Sequence, residues 1–382
     1  MEGTLNLLFL PPNPVSLLLK INGFRFLVYL CHMKHFLHWI YTCLLLVGIP
    51  FAAIGQESPS DRYYEAFPTE LTTRYYFSRK YTAWQVGDKT GGNTYRFEPN
   101  STLNMGVGAT YQNLTLNLAY GFDFLNPDLG QGDSKYLDLQ AHMYPKKLVI
   151  DFFGQFYRGY HVANSALPGS ASDRFTVLPD MHVRKLGASV QYLFNGEKLS
   201  LRAAFLQNEW QKKSAASALL GFEMYGGTTY NEGGMLSPSL TNEQIGRYDR
   251  SRFLEFGPNA GYVATLVIKR HFFLTGSVST NLGLGYLSSF EGGQQETSWQ
   301  VTPNLFVRGF AGYNSRHWSV NVNYVHNRVN LPSTTAYDNT IMTGNYRFNL
   351  VHRIAPGPKL GQSLGKLDSF LKSLRNRGNK PR

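Results

Sequence analysis

At 382 residues the chain has room for one large domain or two ordinary ones, so burial does not limit folding. Its mean hydropathy is −0.26, and past residue 55 no run of about 20 apolar residues exists to form a membrane-crossing helix. The formal charge of +12 divides into +2 on residues 1–55, +6 on 355–382 and +4 on the body between, which places the basicity in a tail and excludes a nucleic-acid face.

The first predicted element is a targeting segment. From Met33, the expected start of translation, a short basic opening (Lys34) leads into an apolar core from Ile40 to Val47, then Gly48 and Pro50. Ala53 and Gly55 stand at −3 and −1 of a cut before Gln56, the small-residue pattern that signal peptidase accepts. Both cysteines, Cys31 and Cys43, precede that cut, so the processed chain is expected to hold no disulfide, thiol nucleophile or thiolate metal site.

After a lead-in over 56–70, segments of about ten residues alternate between apolar and small or polar side chains. In Leu114–Phe122, Leu114, Leu116, Leu118, Tyr120 and Phe122 take one face and Thr115, Asn117, Ala119 and Gly121 the other. Comparable segments are 71–80, 103–111, 137–143, 148–156, 186–192, 199–205, 216–226, 262–268, 274–284, 305–313, 318–324 and 342–350. Short turns at 112–113, 145–146, 195–197, 270–271 and 314–316 contrast with longer polar connections around 123–134, 159–181, 287–298 and 327–339. Tyr111, Tyr120, Tyr192, Phe194, Tyr286, Tyr313, Trp318 and Phe348 sit near segment ends, where aromatic girdles meet a membrane interface. The expectation is an all-β fold: a transmembrane antiparallel β-barrel over 71–354 with about 12 strands, or 14 if 210–257 hides a further one. Both termini then lie in the periplasm and the bacterial outer membrane is the location, with outer-membrane lipids and the barrel-assembly machinery as partners.

Several stretches also resemble a known family: Tyr95–Asn100 with Gly106–Tyr111, Gly132–Asp138, Asp151–Gln155 with Tyr157–Tyr160, Ser214–Gly221, and Gly261–Phe273. Over about 65–353 the chain is similar to the outer-membrane family called domain of unknown function 4421, from diderm bacteria. The resemblance implies a barrel in the outer membrane and supplies no activity or site residue.

If the apolar faces meet lipid, the opposite faces define a lumen carrying Asp138, His142, Asp151, Gln155, Lys185, Arg202, Arg308 and Arg347. Buried charges of both signs must pair or stay hydrated, so a cross-lumen polar network is expected. It could form a selectivity constriction or simply fill a narrow barrel. His142 with Asp138 and Asp151 is the one grouping suited to proton transfer. No metalloprotease, nucleophile-elbow or phosphate-loop motif accompanies it, and no catalytic residue, metal or cofactor is expected. In the tail, Leu360, Leu364, Leu367, Leu371 and Leu374 repeat at helical spacing among lysines and arginines. This short basic amphipathic helix would lie on an anionic membrane or dock a periplasmic partner. The functional expectation is a narrow, porin-like transport or structural barrel rather than an enzyme. The alternative is a lipid- or glycolipid-acting enzyme with a lumenal site.

Overall fold

The computed structural model describes residues 62–89, 91–111, 114–167, 174–232, 234, 248–291, 293–362 and 365. The expected signal peptide, both cysteines and most of the tail's leucine repeat lie outside the described residues; of the tail, residues 358–362 are helical.

Twelve long strands run in one antiparallel sheet: β2 (Leu71–Asp88), β4 (Asn104–Tyr111), β5 (Leu114–Tyr120), β6 (Lys135–Met143), β7 (Leu148–Ala163), β8 (Phe175–Leu193), β10 (Ala215–Tyr230), β11 (Tyr248–Ile268), β12 (Phe272–Glu291), β13 (Gln294–Asn314), β14 (Trp318–Asn330) and β15 (Tyr337–Ile354). Among the described residues three short strands join them, β1 (Tyr64–Ala66), β3 (Thr94–Phe97) and β9 (Glu209–Gln211), with a short helix, α1 (Leu201–Phe205), and 3-10 turns at Asp123–Leu125 and Asn164–Ala166. The order around the sheet is β5-β4-β2-β15-β14-β13-β12-β11-β10-β8-β7-β6, so the first and last long strands, β2 and β15, pair through eighteen residues from Leu71/Ile354 to Asp88/Tyr337. That pairing curls the chain back on itself. The end where Leu71 and Ile354 meet is called the near end below.

The count of twelve arises differently from the alternation pattern. Residues 199–205 are not a strand: Ser200 caps α1 by accepting a hydrogen bond from the Ala203 amide, and Leu201, Ala203 and Ala204 are buried. Four apolar residues at every second position suit a strand, but a capped turn beneath the sheet buries the same residues. The stretch 210–257 is not one excursion either, since β10 and β11 pair through sixteen consecutive positions from Ala215/Thr265 to Tyr230/Arg250. Nor is 287–298 a long loop, because β12 and β13 remain paired as far as Glu291/Gln294.

Side chains alternate as a membrane wall requires. Leu220, Phe222, Met224, Leu274, Val278, Leu282, Val301, Val322 and Phe348 are exposed on the outer face, while their neighbours Glu223, Thr275, Asn281 and Asn321 are buried inside. An exposed oily belt around a sheet with polar interior residues is the inverse of a water-soluble barrel and fits hydrocarbon. Ring pairs mark its borders: Phe272–Tyr313 near one end, with centroids 5.4 Å apart, and Tyr286–Trp299 near the other, at 4.9 Å. Among the described residues no helix is long and apolar enough to cross a membrane; the strands do the crossing.

The lumen is packed in layers. Toward the far end, Trp84, Tyr95, Phe97, Tyr157, Tyr160, Val183, Tyr225, Leu287, Val329 and Ile341 form an apolar core drawn from most of the strands. At the near end, β1 pairs with β9 and, together with α1, forms a plug that buries Leu199, Leu201 and Ala204 against Leu193, Leu219, Val263 and Phe273.

Candidate functional site

Between the far core and the near plug lies a polar layer. Asp151 is fully buried on β7; its Oδ1 accepts from His142 Nδ1 at 2.6 Å and its Oδ2 accepts from the Arg308 guanidinium. Arg308 lies over the Phe306 ring, 3.8 Å from its centroid, so the cation is flanked by a carboxylate and a π face. Asp138 accepts from Tyr157 (2.8 Å), Gln140 (2.9 Å) and Lys80 (3.3 Å). Lys185 reaches across to donate to Asn327 Oδ1 at 2.7 Å and stands over the Tyr225 ring. Glu223 and Glu255 are each held by asparagines: Asn259 on Glu223 at 2.8 Å, and Asn304 and Asn281 on Glu255 at 2.6 and 3.2 Å. Gln155 is fully buried, with both polar atoms of its side chain lacking a protein partner.

Seven of the eight residues singled out from the alternation therefore sit on inward faces: Asp138; His142, Asp151 and Arg308 together; Lys185 with Asn327; Gln155, buried without a side-chain partner; and Arg347, which stands apart on β15. Arg202 does not belong to the lumenal wall; it lies on α1 in the plug, 3.5 Å from Glu209. Its placement follows from the mistaken strand over 199–205. Glu223 lies in the alternating segment 216–226, whose outward Leu220, Phe222 and Met224 already imply that it points inward, whereas Glu255 lies where 210–257 was left open.

The wall has a seam. Among the described residues no backbone pair joins the two end strands, β5 and β6. Far from the plug the seam is bridged: β3 pairs with β2, and Glu98 and His161 exchange two backbone hydrogen bonds of 2.9 Å, tying the segment after β3 to β7. Thr102 and Tyr136 hydroxyls meet at 2.6 Å and the Asn100 amide donates to Ser134 at 2.7 Å. Along the rest of β5 the inward positions Asn117 and Ala119 are exposed, and on β6 Gln140 and His142 are only half-buried, although the Asp138 side chain is enclosed. The polar layer is thus reachable sideways. The His142 imidazole has Nδ1 fixed by Asp151, and among the described residues its other nitrogen makes no hydrogen bond. No hydroxyl or thiol nucleophile is tied to it, and among the described residues no cluster of ligating side chains could hold a metal ion.

The plug is clamped by arginines. Arg353, 1% exposed, donates to the carbonyls of Gln207 and Ser315 and to Asn314 Oδ1. Arg316 joins Glu65 at 2.7 Å and Glu70 at 2.6 Å, and Lys212 meets Glu65 at 2.5 Å. The Lys212 ammonium holds the Glu65 carboxyl below the usual carboxylate range, whereas burial pushes that of Glu209 up. A cavity of about 60 Å³, room for about two waters, lies among Tyr64, Tyr144, Ser200, Arg202 and Glu209.

A family model described as Domain of unknown function (DUF4421) matches residues 59–353. The chain belongs to that family. No curated protein matches it. Among solved structures, this DUF4421 chain is similar to the outer membrane protease OmpT of Escherichia coli, at 11% identity and TM-score 0.36, covering 78% of this chain and 100% of that one. It is also similar to the translocator domain of the autotransporter NalP from Neisseria meningitidis (7%, TM-score 0.30, covering 85% and 98%). A third is the toluene transporter TodX of Pseudomonas putida (8%, TM-score 0.26, covering 76% and 92%). Scores this low carry no argument about activity. The outer-membrane barrel is established by the DUF4421 chain's own strand pairing and oily belt.

Proposed function

We propose that this outer-membrane barrel admits a membrane-borne amphiphile sideways, through the β5–β6 seam, and does not act as an open axial pore. One observation carries the reading: the inward positions Asn117 and Ala119 of β5 are exposed and Gln140 and His142 of β6 are only partly buried, while most inward residues elsewhere are buried. Unpaired strand edges in hydrocarbon leave N–H and C=O groups unsatisfied at several kcal/mol each. An amphiphile's polar group at the seam would satisfy them, with its chains beside Leu116, Leu118, Leu137 and Leu139. The buried far core and the plug argue against a porin-like channel, so passage along the axis would need both to move. The short turns, Leu71 and Ile354 share the near end, which supports a periplasmic assignment for the plug.

The processed chain has no cysteine of its own on this reading, which makes the seam easy to lock. Wild-type protein purified in mild detergent is expected to retain lipid, to exchange a pyrene-labelled phospholipid from vesicles, and to show no steady conductance in planar bilayers. Bridging an Asn117→Cys/Gln140→Cys pair with a bismaleimide should stop the exchange. Steady ion current, or exchange unchanged by the bridge, would refute the lateral reading; bridging between two molecules instead of within one would show that a second copy covers the seam.

A further inference from the structure

Two buried guanidiniums have no carboxylate to answer them. Arg74, 6% exposed on β2, donates to Thr110 Oγ1 at 2.6 Å and to the Leu206 carbonyl at 3.1 Å, and its Nε is buried without a partner. Arg347 on β15 lies over the Tyr76 ring, 3.7 Å from the centroid, with Nε and one terminal nitrogen buried and unpartnered. Among the described residues neither forms an ion pair. Their strands are in register: Arg74 opposes Val351, Tyr76 opposes Asn349 and Ser78 opposes Arg347. The two guanidiniums therefore project inward on either side of Tyr76. Room for them comes from β4, where a Cβ on Gly106 would lie 2.5 Å from the Tyr76 ring and one on Gly108 3.0 Å from Arg74 Cγ. On β14, Asn321 adds a further buried donor, its Nδ2, that finds no partner.

Donors thus predominate here, Arg74 Nε, two Arg347 nitrogens and Asn321 Nδ2 being unmatched against Asn345 Oδ1, and the two cations flanking Tyr76 have no counter-charge. Water could complete the hydrogen bonds, but it could not neutralise the pair. Asp138, Asp151, Glu223 and Glu255 are all engaged by other partners in the polar layer. We propose that Arg74 and Arg347 form a binding site for an oxyanion, a phosphate or carboxylate group, held against β2, β15 and β14. Guanidinium forks match such oxygens in geometry as well as charge. The oxyanion could be a free ion or the headgroup of the amphiphile inferred above; the site stands without that reading, since its evidence is independent of the seam.

The test uses the full-length processed protein. Its melting temperature is followed against inorganic phosphate at constant ionic strength in neutral detergent, and separately in nanodiscs of phosphatidylcholine with or without phosphatidic acid. A saturable rise with phosphate identifies a free-ion site; a rise only with phosphatidic acid identifies a headgroup site. Arg347→Gln should abolish whichever rise is seen and should raise the ligand-free melting temperature, because it removes an uncompensated charge. A structural arginine would lower it. Should that variant not fold, Asn345→Asp places a carboxylate two residues away on the same face and should likewise abolish the ligand response. No saturable rise in either arm, or a rise that survives in the variants, overturns the proposal.

Discussion

Placing Val278 on the lipid face at mid-depth makes a quantitative demand on the barrel. On β12 the outward positions run Phe272, Leu274, Gly276, Val278, Thr280, Leu282, Leu284 and Tyr286, bounded by the Phe272–Tyr313 and Tyr286–Trp299 ring pairs. Fourteen steps of roughly 3.3 Å span about 46 Å along the strand, and a tilt of about 40° reduces this to about 35 Å of depth. That height accommodates an apolar band of about 25 Å plus a girdle at each border. Val278, 46% exposed and paired with Tyr262 and Val307, lies close to the middle. Val278→Arg should therefore cost about 2–4 kcal/mol of folding stability, while Tyr286→Arg at the border should cost about 0–1 kcal/mol. Guanidinium titrations of refolding into phosphatidylcholine vesicles, followed by tryptophan emission, give both values. Equal costs at the two depths, or none at Val278, would mean that this face does not meet hydrocarbon.

The buried ion pair predicts a loss that can be partly reversed. Asp151→Asn strands Arg308, 3% exposed, without its counter-charge and should cost about 3–5 kcal/mol in the same titration; adding Arg308→Met should recover much of it. The plug predicts a pH dependence of definite sign. Burial raises the folded-state value of Glu209 above 4.5, with Ser200, Arg202 and Lys146 opposing the shift, so its ionisation penalises plug docking as pH rises above 4.5. Glu65, lowered by Lys212 and Arg316, contributes docking stability present above 4.5 and lost as pH falls through its depressed folded value. Glu209→Gln removes only the first effect. Hydrogen exchange of residues 199–211 should then become slower relative to wild type at pH 7 and stay unchanged near pH 4; an identical pH profile in both proteins would sink the assignment.

How much of this was legible beforehand depended on whether a residue's role is written in its spacing. The two-residue period of Leu274–Leu284 or Trp318–Tyr324 reports which side faces lipid, because a strand offers only two directions. The same period misled at Leu199–Phe205, where apolar side chains are buried by a capped helical turn in the mouth of the barrel and never approach lipid. Arg202 was carried into the wrong place by that error, and Glu255 was missed because the strand bearing it was not separated. The seam had no signature at all, since Leu114–Tyr120 and Lys135–Met143 alternate like any paired strand. Which neighbour a strand lacks is a property of the whole sheet.

The polar layer, the seam and the plug belong to one physical problem. A small barrel must fill its lumen, and an all-apolar filling would not distinguish one strand register from another. Here the asparagines on Glu223 and Glu255 fix the alignment of neighbouring strands, and the Arg308–Asp151 and Lys185–Asn327 bridges fix an alignment across the lumen, because sliding a strand by one residue would turn its partner toward lipid. That network fixes most of the wall. Around Arg74 and Arg347 no such internal closure exists, and β4 and β5 beyond them end in an edge with no strand to follow. The unsatisfied charge and the unsatisfied backbone edge thus fall on the same side of the barrel, and a single anionic amphiphile would complete both.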